Sequence, residues 1–464
     1  MRTLIEDSIK NEGKEIELCG WVHARRDHGK LVFIDVRDRS GIIQVVFGPE
    51  ITKASELRLE YVVKIKGEVK KRPPNMVNDK VPTGVYEISA HELEILSVAE
   101  PLPIPIDTDG RDVDEEMRLK YRYLDLRRGR MKDNLIARHK IVKFIRDFLS
   151  ERGFIEVETP NLSKSTPEGA RDYLVPSRIQ KGNFYALPQS PQQYKQLLMV
   201  GGVEKYFQIA RCFRDEDTRG DRQPEFTQLD LEMSFVERED VMALNEELLI
   251  KIVTTLHPEK KIQKIPFPRI TYKDAMEKYG TDRPDMRTDK NDPDLLAFCW
   301  VIDFPFFEKT EEGGWTFTHN PFSAPNPEFM VDLLAQKNIQ DILTTQYDVA
   351  VNGLEIGGGS IRNHQPEPLK AVFRIMGYGD EVIIAKFGHM LKALGSGAPP
   401  HGGIAWGLDR LVSLLQNEPN IREVIAFPKT GDGQDLMMDA PSEVEKKQLD
   451  ELGIAVVKSK PKKN

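Results

Sequence analysis

Four constellations of residues in this chain could carry chemistry. In Arg211-Cys212-Phe213-Arg214-Asp215-Glu216-Asp217 and the following Arg222-Gln223-Pro224-Glu225-Phe226-Thr227-Gln228-Leu229-Asp230, arginines stand among acids between two strand-like runs. Guanidinium forks neutralise phosphates bidentately, and carboxylates hold the arginines or a metal. A surface hairpin laced with ion pairs would have the same composition. Glu355-Ile356-Gly357-Gly358-Gly359-Ser360-Ile361-Arg362 sets three glycines between a carboxylate and an arginine. Such glycines let backbone approach a ligand closely or make a bulge. Gly402-Gly403-Ile404-Ala405-Trp406-Gly407-Leu408-Asp409-Arg410-Leu411 leads into an apolar helix. Arg410 then sits in the first turn, where a cation opposes the helix dipole unless an anion is bound. Thr166-Pro167-Glu168-Gly169-Ala170-Arg171-Asp172 reads as a loop able to close, and Gln192 and Lys195 lie one helical turn apart in the Gln189–Lys195 stretch. No GxxxxGK[ST], HExxH, GxSxG or post-strand GxGxxG pattern is present, so phosphate binding must rest on arginines carried by a sheet.

The elements that must position these residues fall into two textures, divided by Pro101-Leu102-Pro103-Ile104-Pro105. Three prolines in five residues exclude a helix or a central strand there. Before them, five strand candidates (EIELCGWV, KLVFIDVRD, GIIQVVF, YVVKIKGEV, GVYEISAHELEIL) alternate with turns, Asp38-Arg39-Ser40-Gly41 among them. That pattern predicts a small barrel of the OB type, which grips oligonucleotides. After them, helical spacing over 134–152 ends at Gly153, and strand-like runs follow: NFYAL, YFQIAR, TQLDLEMSF, CWVIDFPFF, YDVAVNGLEI. Strands outnumber crossovers, predicting an antiparallel sheet flanked by helices, hence an α+β fold. The domains predicted are 1–103 for the barrel, 104–133 as a hinge, 134–445 as the larger domain and 446–464 as a C-terminal segment with a disordered basic tail.

With 464 residues, 39% apolar and 30% charged, the chain can build sizeable cores. It has no run of ~18 apolar residues to span a membrane, and acids occupy the N-terminus where a signal peptide needs an apolar stretch. Three scattered cysteines (Cys19, Cys212, Cys299) fit neither a disulfide framework nor a CxxC zinc site; they suit a cytoplasmic location. The net charge of −8 argues against a general nucleic-acid coat but not against local basic surfaces. One candidate is 118–132, with seven basic residues against Asp125; it is either a solvated helix face or a phosphate-backbone contact.

On these motifs the chain resembles the class II aminoacyl-tRNA synthetases. Arg214-Asp215-Glu216 with Phe226 is similar to motif 2, Gly407-Leu408-Asp409-Arg410 to motif 3, and Phe154-Ile155-Glu156-Val157-Glu158-Thr159-Pro160 to motif 1, whose proline lies at the family's dimer interface. TPEGARDYLVP, QSPQQYKQLLM, GLEIGGGSIR and AWGLDR, together with the N-terminal barrel, are similar to the bacterial-type aspartyl enzymes over essentially the whole chain. The resemblance implies a homodimer that activates L-aspartate with ATP and Mg²⁺ and charges tRNA. It implies that Arg214 contacts the α-phosphate and substrate carboxylate, and that Asp215, Glu216 and Gln223 lie at the ATP site. Phe226 would stack on adenine, Glu355 would hold Mg²⁺, and Arg410, beside Gly407, Leu408 and Asp409, would meet the γ-phosphate. Lys195 and Arg362 would read the aspartate side chain with His319 nearby; Gln192, Asp230 and Glu168 would meet the substrate ammonium or close over it. A planar fork suits a carboxylate, and an amide would leave those charges unpaired. An asparaginyl or lysyl enzyme, and a non-catalytic relative, are the competing readings.

Two departures stand out. Bacterial-type relatives carry an insert of over a hundred residues between motifs 2 and 3, whereas here seven residues follow Arg287 before Leu295. His319-Asn320-Pro321-Phe322 replaces the frequent His-His-Pro-Phe, and a structural role for His319 stays open. For tRNA, Phe33 could stack on an anticodon base unless it faces the barrel core, and Arg26 and Gln44 could bond base edges. His28, where strict relatives commonly carry leucine, implies relaxed charging of both tRNA-Asp and tRNA-Asn, with Asn75 contributing; a strictly discriminating enzyme is the alternative.

Overall fold

Burial alternates along the N-terminal strands. In Ile42–Phe47, Ile43, Val45 and Phe47 are buried and their neighbours half-buried, which is the signature of a strand with one face on a core. The computed structural model describes residues 2–165 and 169–457. The chain divides into two compact units, residues 1–105 and 106–464. In the first, β1 (Glu15–His28), β2 (Leu31–Arg37), β3 (Ile42–Phe47), β4 (Val62–Lys71) and β5 (Tyr86–Ser97) close a barrel in the order β1-β2-β3-β5-β4. Its interior is filled by Leu18, Val22, Ile34, Val36, Ile43, Val45, Val63, Ile65 and Ile88 among others. The predicted turn forms because Asp38 Oδ1 accepts from the Ser40 and Gly41 amides at 2.7 and 3.2 Å.

The second unit is built on an eight-stranded sheet. Its six central strands are antiparallel, as predicted. Both edges differ: Ile155–Glu156 runs parallel to Lys205–Phe213, and Arg269–Thr271 parallel to Phe298–Ile302. Each edge pairs only two or three residues after a long excursion, so no hairpin fixes its direction. The run YDVAVNGLEI is two strands, Tyr347–Val351 and Leu354–Ile361, turned at Asn352 and Gly353 with φ of 53° and 86°. The helices Gly129–Ser150, Arg238–Leu256 and Leu408–Leu415 cover one face, burying Ile141, Ile145, Leu249 and Ile252 against Trp300, Trp406 and Leu231. The first of these helices begins five residues before the predicted start, and Gly153 at φ 77° follows its end.

The basic segment 118–132 is only partly a solvated face: Lys120 is exposed, but three of its arginines turn inward. Arg118, Arg122 and Arg128 are buried, and Arg122 and Arg128 bond the buried Asp125 at 2.8 and 2.7 Å. Arg118 and Arg130 converge on the buried Glu423 at 2.6 and 3.0 Å. From Ile106 onward the predicted hinge therefore belongs to the second unit, packed on residues 418–426. In place of an insert, a short loop follows Arg283, drawn in where Arg287 bonds Asp285 at 3.0 and 2.9 Å. Near the C-terminus Lys446–Leu452 is helical; the basic tail from 458 onward lies outside the described residues.

Candidate active site

The strand Glu225–Ser234 divides core from chemistry. Leu229, Leu231 and Met233 enter the helix-packed core, so by the two-residue period Gln228, Asp230 and Glu232 face the opposite side. Register sets Asp230 beside Ala405, Ala405 beside Gly358, and Gly358 beside Asp348, so four strands contribute to one row. Above this face lies a cavity of about 280 Å³. Glycines make room for its carboxylates: a Cβ on Gly358 would stand 2.6 Å from Asp348 Oδ1, and one on Gly403 would come closer still to Glu232. The triple glycine thus admits neighbouring side chains as well as lining the cavity, and a bulge does occur opposite, between Val349 and Ala350.

Lys195, Arg362 and Asp230 line the cavity floor, and the buried Glu232 backs the two cations from behind it. Lys195 Nζ lies 2.7 Å from Asp230 and 3.2 Å from Glu232. Arg362 Nε donates to Glu232 Oε1 at 2.9 Å and Nη2 to Oε2 at 3.2 Å. All four residues are at most 3% exposed. Burial alone would raise the Glu232 carboxyl, but Arg362 and Lys195 hold it at about 2. At Asp230 burial outweighs Lys195, and the carboxyl is raised. Lys195 reaches the floor from the helix Gln192–Val200, whose first residue, Gln192, also lines the cavity. An arriving carboxylate would find two preorganised cations; an amide would leave the buried charges without an added partner.

A second wall is built from the motif-2 hairpin. Arg214, Glu216, Gln223 and Phe226 line it. The Arg214 guanidinium lies 5.0 Å from the Phe226 ring centroid, and Glu216 lies 3.7 Å from Arg222. Buried Arg214 Nε and Gln223 Nε2 find no acceptor among the described residues, which marks this wall as made for a polar ligand. Arg410 donates to the Asp221 and Glu355 carbonyls at 3.2 and 2.9 Å and pairs with Asp221 at 3.2 Å. Its first-turn position is therefore already met by protein oxygens and does not by itself require a bound phosphate. Asp409 is a brace: it pairs with Arg138 and accepts the Thr227 amide at 2.9 Å, although it and Gly407 also line the cavity.

Some predicted residues lie elsewhere. Leu408 is fully buried because it shares the core-facing side of its helix with Leu411 and Val412, three and four residues on. Asp215 does not line the cavity; it stands 3.7 Å from Arg171 and is half-exposed. Glu168 lies outside the described residues. His319 does line the cavity, edge-on to Phe304 at 4.6 Å and 3.8 Å from Asp348, with burial lowering its pKa. Asn320 lines it too and caps the Phe322 amide at 2.7 Å.

Two buried acids that nothing singled out in the sequence stand behind the lining residues, Glu232 against Lys195 and Arg362 and Asp348 near His319. Glu232 could have been found by counting two along the strand from Asp230. Asp348 could have been found from the Asn352-Gly353 turn, which folds it back toward Glu355. Burial first, then the Glu355 charge, push the Asp348 carboxyl well above its ordinary range. No group of three or more His, Cys, Asp or Glu among the described residues could hold a metal alone. Glu355 lines the cavity with Asp348 behind it, and such a pair fits the one or two carboxylates that Mg²⁺ takes when ligand and water oxygens complete its shell.

In the N-terminal unit, Ile34 faces the barrel interior and the half-buried Phe33 does not belong to that core. Cross-strand register pairs Phe33 with Arg26, and Arg26 reaches Asp35 at 3.0 Å and Gln44 at 3.3 Å. Gln44 donates to Glu87 at 2.9 Å. Arg26 and Gln44 are thus engaged with acids, and a base would have to exchange those bonds. His28 is exposed at the tip of the β1–β2 hairpin, and Asn75 is exposed in the short helix Pro74–Met76.

A family model described as tRNA synthetases class II (D, K and N) matches residues 114–431, and one described as an OB-fold nucleic acid binding domain matches 16–96. An aspartate–tRNA(Asp/Asn) ligase from Dehalococcoides mccartyi strain CBDB1 is 43% identical, covering 96% of this chain and 97% of its own. One of the same description from Caldanaerobacter subterraneus subsp. tengcongensis is 42% identical, covering 97% of each. The first alignment runs over 586 positions against 464 residues here, so more than a hundred positions have no counterpart in this chain. Among solved structures, an asparaginyl-tRNA synthetase from Pyrococcus horikoshii with asparaginyl-adenylate matches with a TM-score of 0.75 at 23% identity, covering 93% of this chain and 98% of its own. No helix among the described residues is long and apolar enough to cross a membrane.

Proposed function

The chain belongs to the class II tRNA synthetases of the D, K and N group, and from that premise we propose that it is an aspartate–tRNA ligase that charges both tRNA-Asp and tRNA-Asn. The observation that carries the amino-acid assignment is the buried cation pair Lys195 and Arg362 on the cavity floor beside Asp230, with Glu232 behind them. A side-chain carboxylate adds the anion these two cations can share. A substrate amide brings no charge and points an N–H toward donors.

The reaction is the one that membership of this family implies. An oxygen of the aspartate α-carboxylate attacks the α-phosphorus of ATP; the bond to the bridging oxygen of the β-phosphate breaks, and pyrophosphate leaves. A hydroxyl of the terminal tRNA adenosine then attacks the aspartyl carbonyl, and AMP leaves. No covalent enzyme intermediate is needed, so the protein contributes positioning and charge stabilisation. Arg214, on its wall with an unsatisfied Nε, faces the α-phosphate; Phe226 offers its ring to adenine; Gln223 and Glu216 flank them, and Arg410 meets the γ-phosphate. Glu355 and Asp348 would hold Mg²⁺, which supplies charge neutralisation of the polyphosphate when bound. Gln192 and Asp230 receive the substrate ammonium.

The outer barrel face of Phe33, Arg26 and Gln44 is the proposed anticodon surface, with His28 at its tip able to donate or accept toward either C or U. The enzyme is proposed to act as a homodimer in the cytoplasm. Supporting dimerisation, Ile155 on the edge strand of the sheet is 53% exposed, and Pro160 and Leu162, a few residues on in the chain, are exposed too. The test is ATP–pyrophosphate exchange with aspartate, asparagine and lysine, followed by charging of tRNA-Asp and tRNA-Asn transcripts. Aspartate alone should support exchange, and both transcripts should be charged. Exchange with asparagine would overturn the amino-acid assignment, and a hundredfold preference for tRNA-Asp would make the enzyme strict.

A further inference from the structure

A line of buried polar side chains runs from the cavity into the interior. Gln192 Nε2 donates to Gln196 Oε1 at 3.1 Å, one turn along the same helix. Gln196 Nε2 lies 3.1 Å from His401 Nε2, and His401 Nδ1 lies 2.7 Å from the Pro399 carbonyl oxygen. Gln196 and His401 are fully buried and Gln192 is 5% exposed. The Pro399 oxygen is the one member of this line that can only accept, and it fixes every other role. His401 Nδ1 must carry the proton. Nε2 then offers a lone pair, so Gln196 turns its NH₂ toward it and its oxygen toward the Gln192 NH₂. That leaves the Gln192 carbonyl oxygen for the cavity, where it accepts from none of the described residues. Burial lowers the His401 pKa and so favours the neutral ring this order needs. A reversed order would present an NH₂ to the ligand.

We propose that His401, acting through Gln196, is a positioning residue that locks the Gln192 amide with its oxygen toward the cavity, to accept a hydrogen bond from the substrate α-ammonium. This rests on reading the cavity as an amino-acid site. Neither His401 nor Gln196 touches the substrate, and His401 enters the site only because its strand brings it behind the helix Gln192–Val200.

The test uses Gln196→Leu, His401→Phe and the double variant in the full-length protein, each checked for folding by circular dichroism and thermal melting. Pyrophosphate exchange gives KM for aspartate and for ATP; competition gives the inhibition constant of succinate, which keeps both carboxylates and lacks the ammonium. The expected result is a rise of about tenfold in the aspartate KM, corresponding to about 1.4 kcal/mol, with ATP KM and succinate affinity within twofold of the parent. The double variant should be no worse than either single one, because one break already frees the amide. An unchanged aspartate KM in folded variants would overturn the proposal. So would an equal weakening of aspartate and succinate, which marks a general packing defect. The ammonium is common to all amino-acid substrates. If the parent exchanges with asparagine instead, the function proposed above fails, while the same comparison with asparagine and succinamate still decides the relay.

Discussion

Glu423→Gln tests the buried arginine network that replaces the predicted hinge. Glu423 is 3% exposed and takes Arg118 at 2.6 and 3.0 Å and Arg130 at 3.0 Å. Burial alone would raise its carboxyl, but Arg118, Arg130 and Arg122 hold it at about 2 against an ordinary 4.5. That difference corresponds to roughly 3 kcal/mol in favour of the charged folded form. The folded pKa is depressed, so this stability is fully present above about pH 4.5 and is lost as the pH falls toward 2. The glutamine keeps the shape, removes the charge and turns an NH₂ toward a guanidinium. At pH 7 it should lower the unfolding free energy of the second unit by about 3 kcal/mol, within the usual cost of breaking a buried pair. Toward pH 2 the gap between variant and parent should shrink to about 1 kcal/mol, the scale of a neutral hydrogen bond. Urea unfolding, followed by fluorescence of the buried Trp300 and Trp406, measures both limits. Other carboxylates titrate equally in both proteins and cancel in the difference. A gap below 1 kcal/mol at pH 7, or one that does not change between pH 7 and 2.5, would refute the argument.

Arg214→Ala and Arg410→Ala should each lower the exchange rate by about a hundredfold or more, the scale of one lost electrostatic contact, while thermal melting stays near the parent; normal exchange in either would remove its proposed role. Asp348→Asn and Glu355→Gln should raise the Mg²⁺ concentration needed for half-maximal exchange severalfold, and an unchanged Mg²⁺ titration in both would exclude the acid pair as the cation site. His28→Leu should shift charging toward tRNA-Asp relative to tRNA-Asn without affecting exchange; an unaltered ratio of the two transcripts would make His28 an ordinary turn residue.

The sequence by itself determined a good deal. Alternating apolar residues specify strands because the side-chain period of two admits one buried face, and this located all five barrel strands and most of the central sheet. The motif residues were legible through their combined resemblance to the class II synthetases, and Gln192, Lys195, Arg214, Asp230, Glu355, Arg362 and Arg410 do meet in one cavity. The missing insert was legible too, since seven residues cannot enclose a core.

Tertiary structure decided what depends on partners far apart in the chain. Arg118 and Arg130 look solvated until Glu418 and Glu423, some three hundred positions later, supply the charges that hold them, whereas Arg122 and Arg128 use Asp125 in their own segment. Edge-strand direction depended on long excursions with no turn to fix it. Phe33 faced outward because register with β1 and β3, not its apolar neighbours, sets which side of the barrel it takes. Strand period and a turn hint at the places of Glu232 and Asp348 but not at their partners, and the His401–Gln196 line carries no local signature. Each acquires its role from atoms that folding brings within about 3 Å, the range over which hydrogen bonds act, and sequence spacing alone does not report that distance.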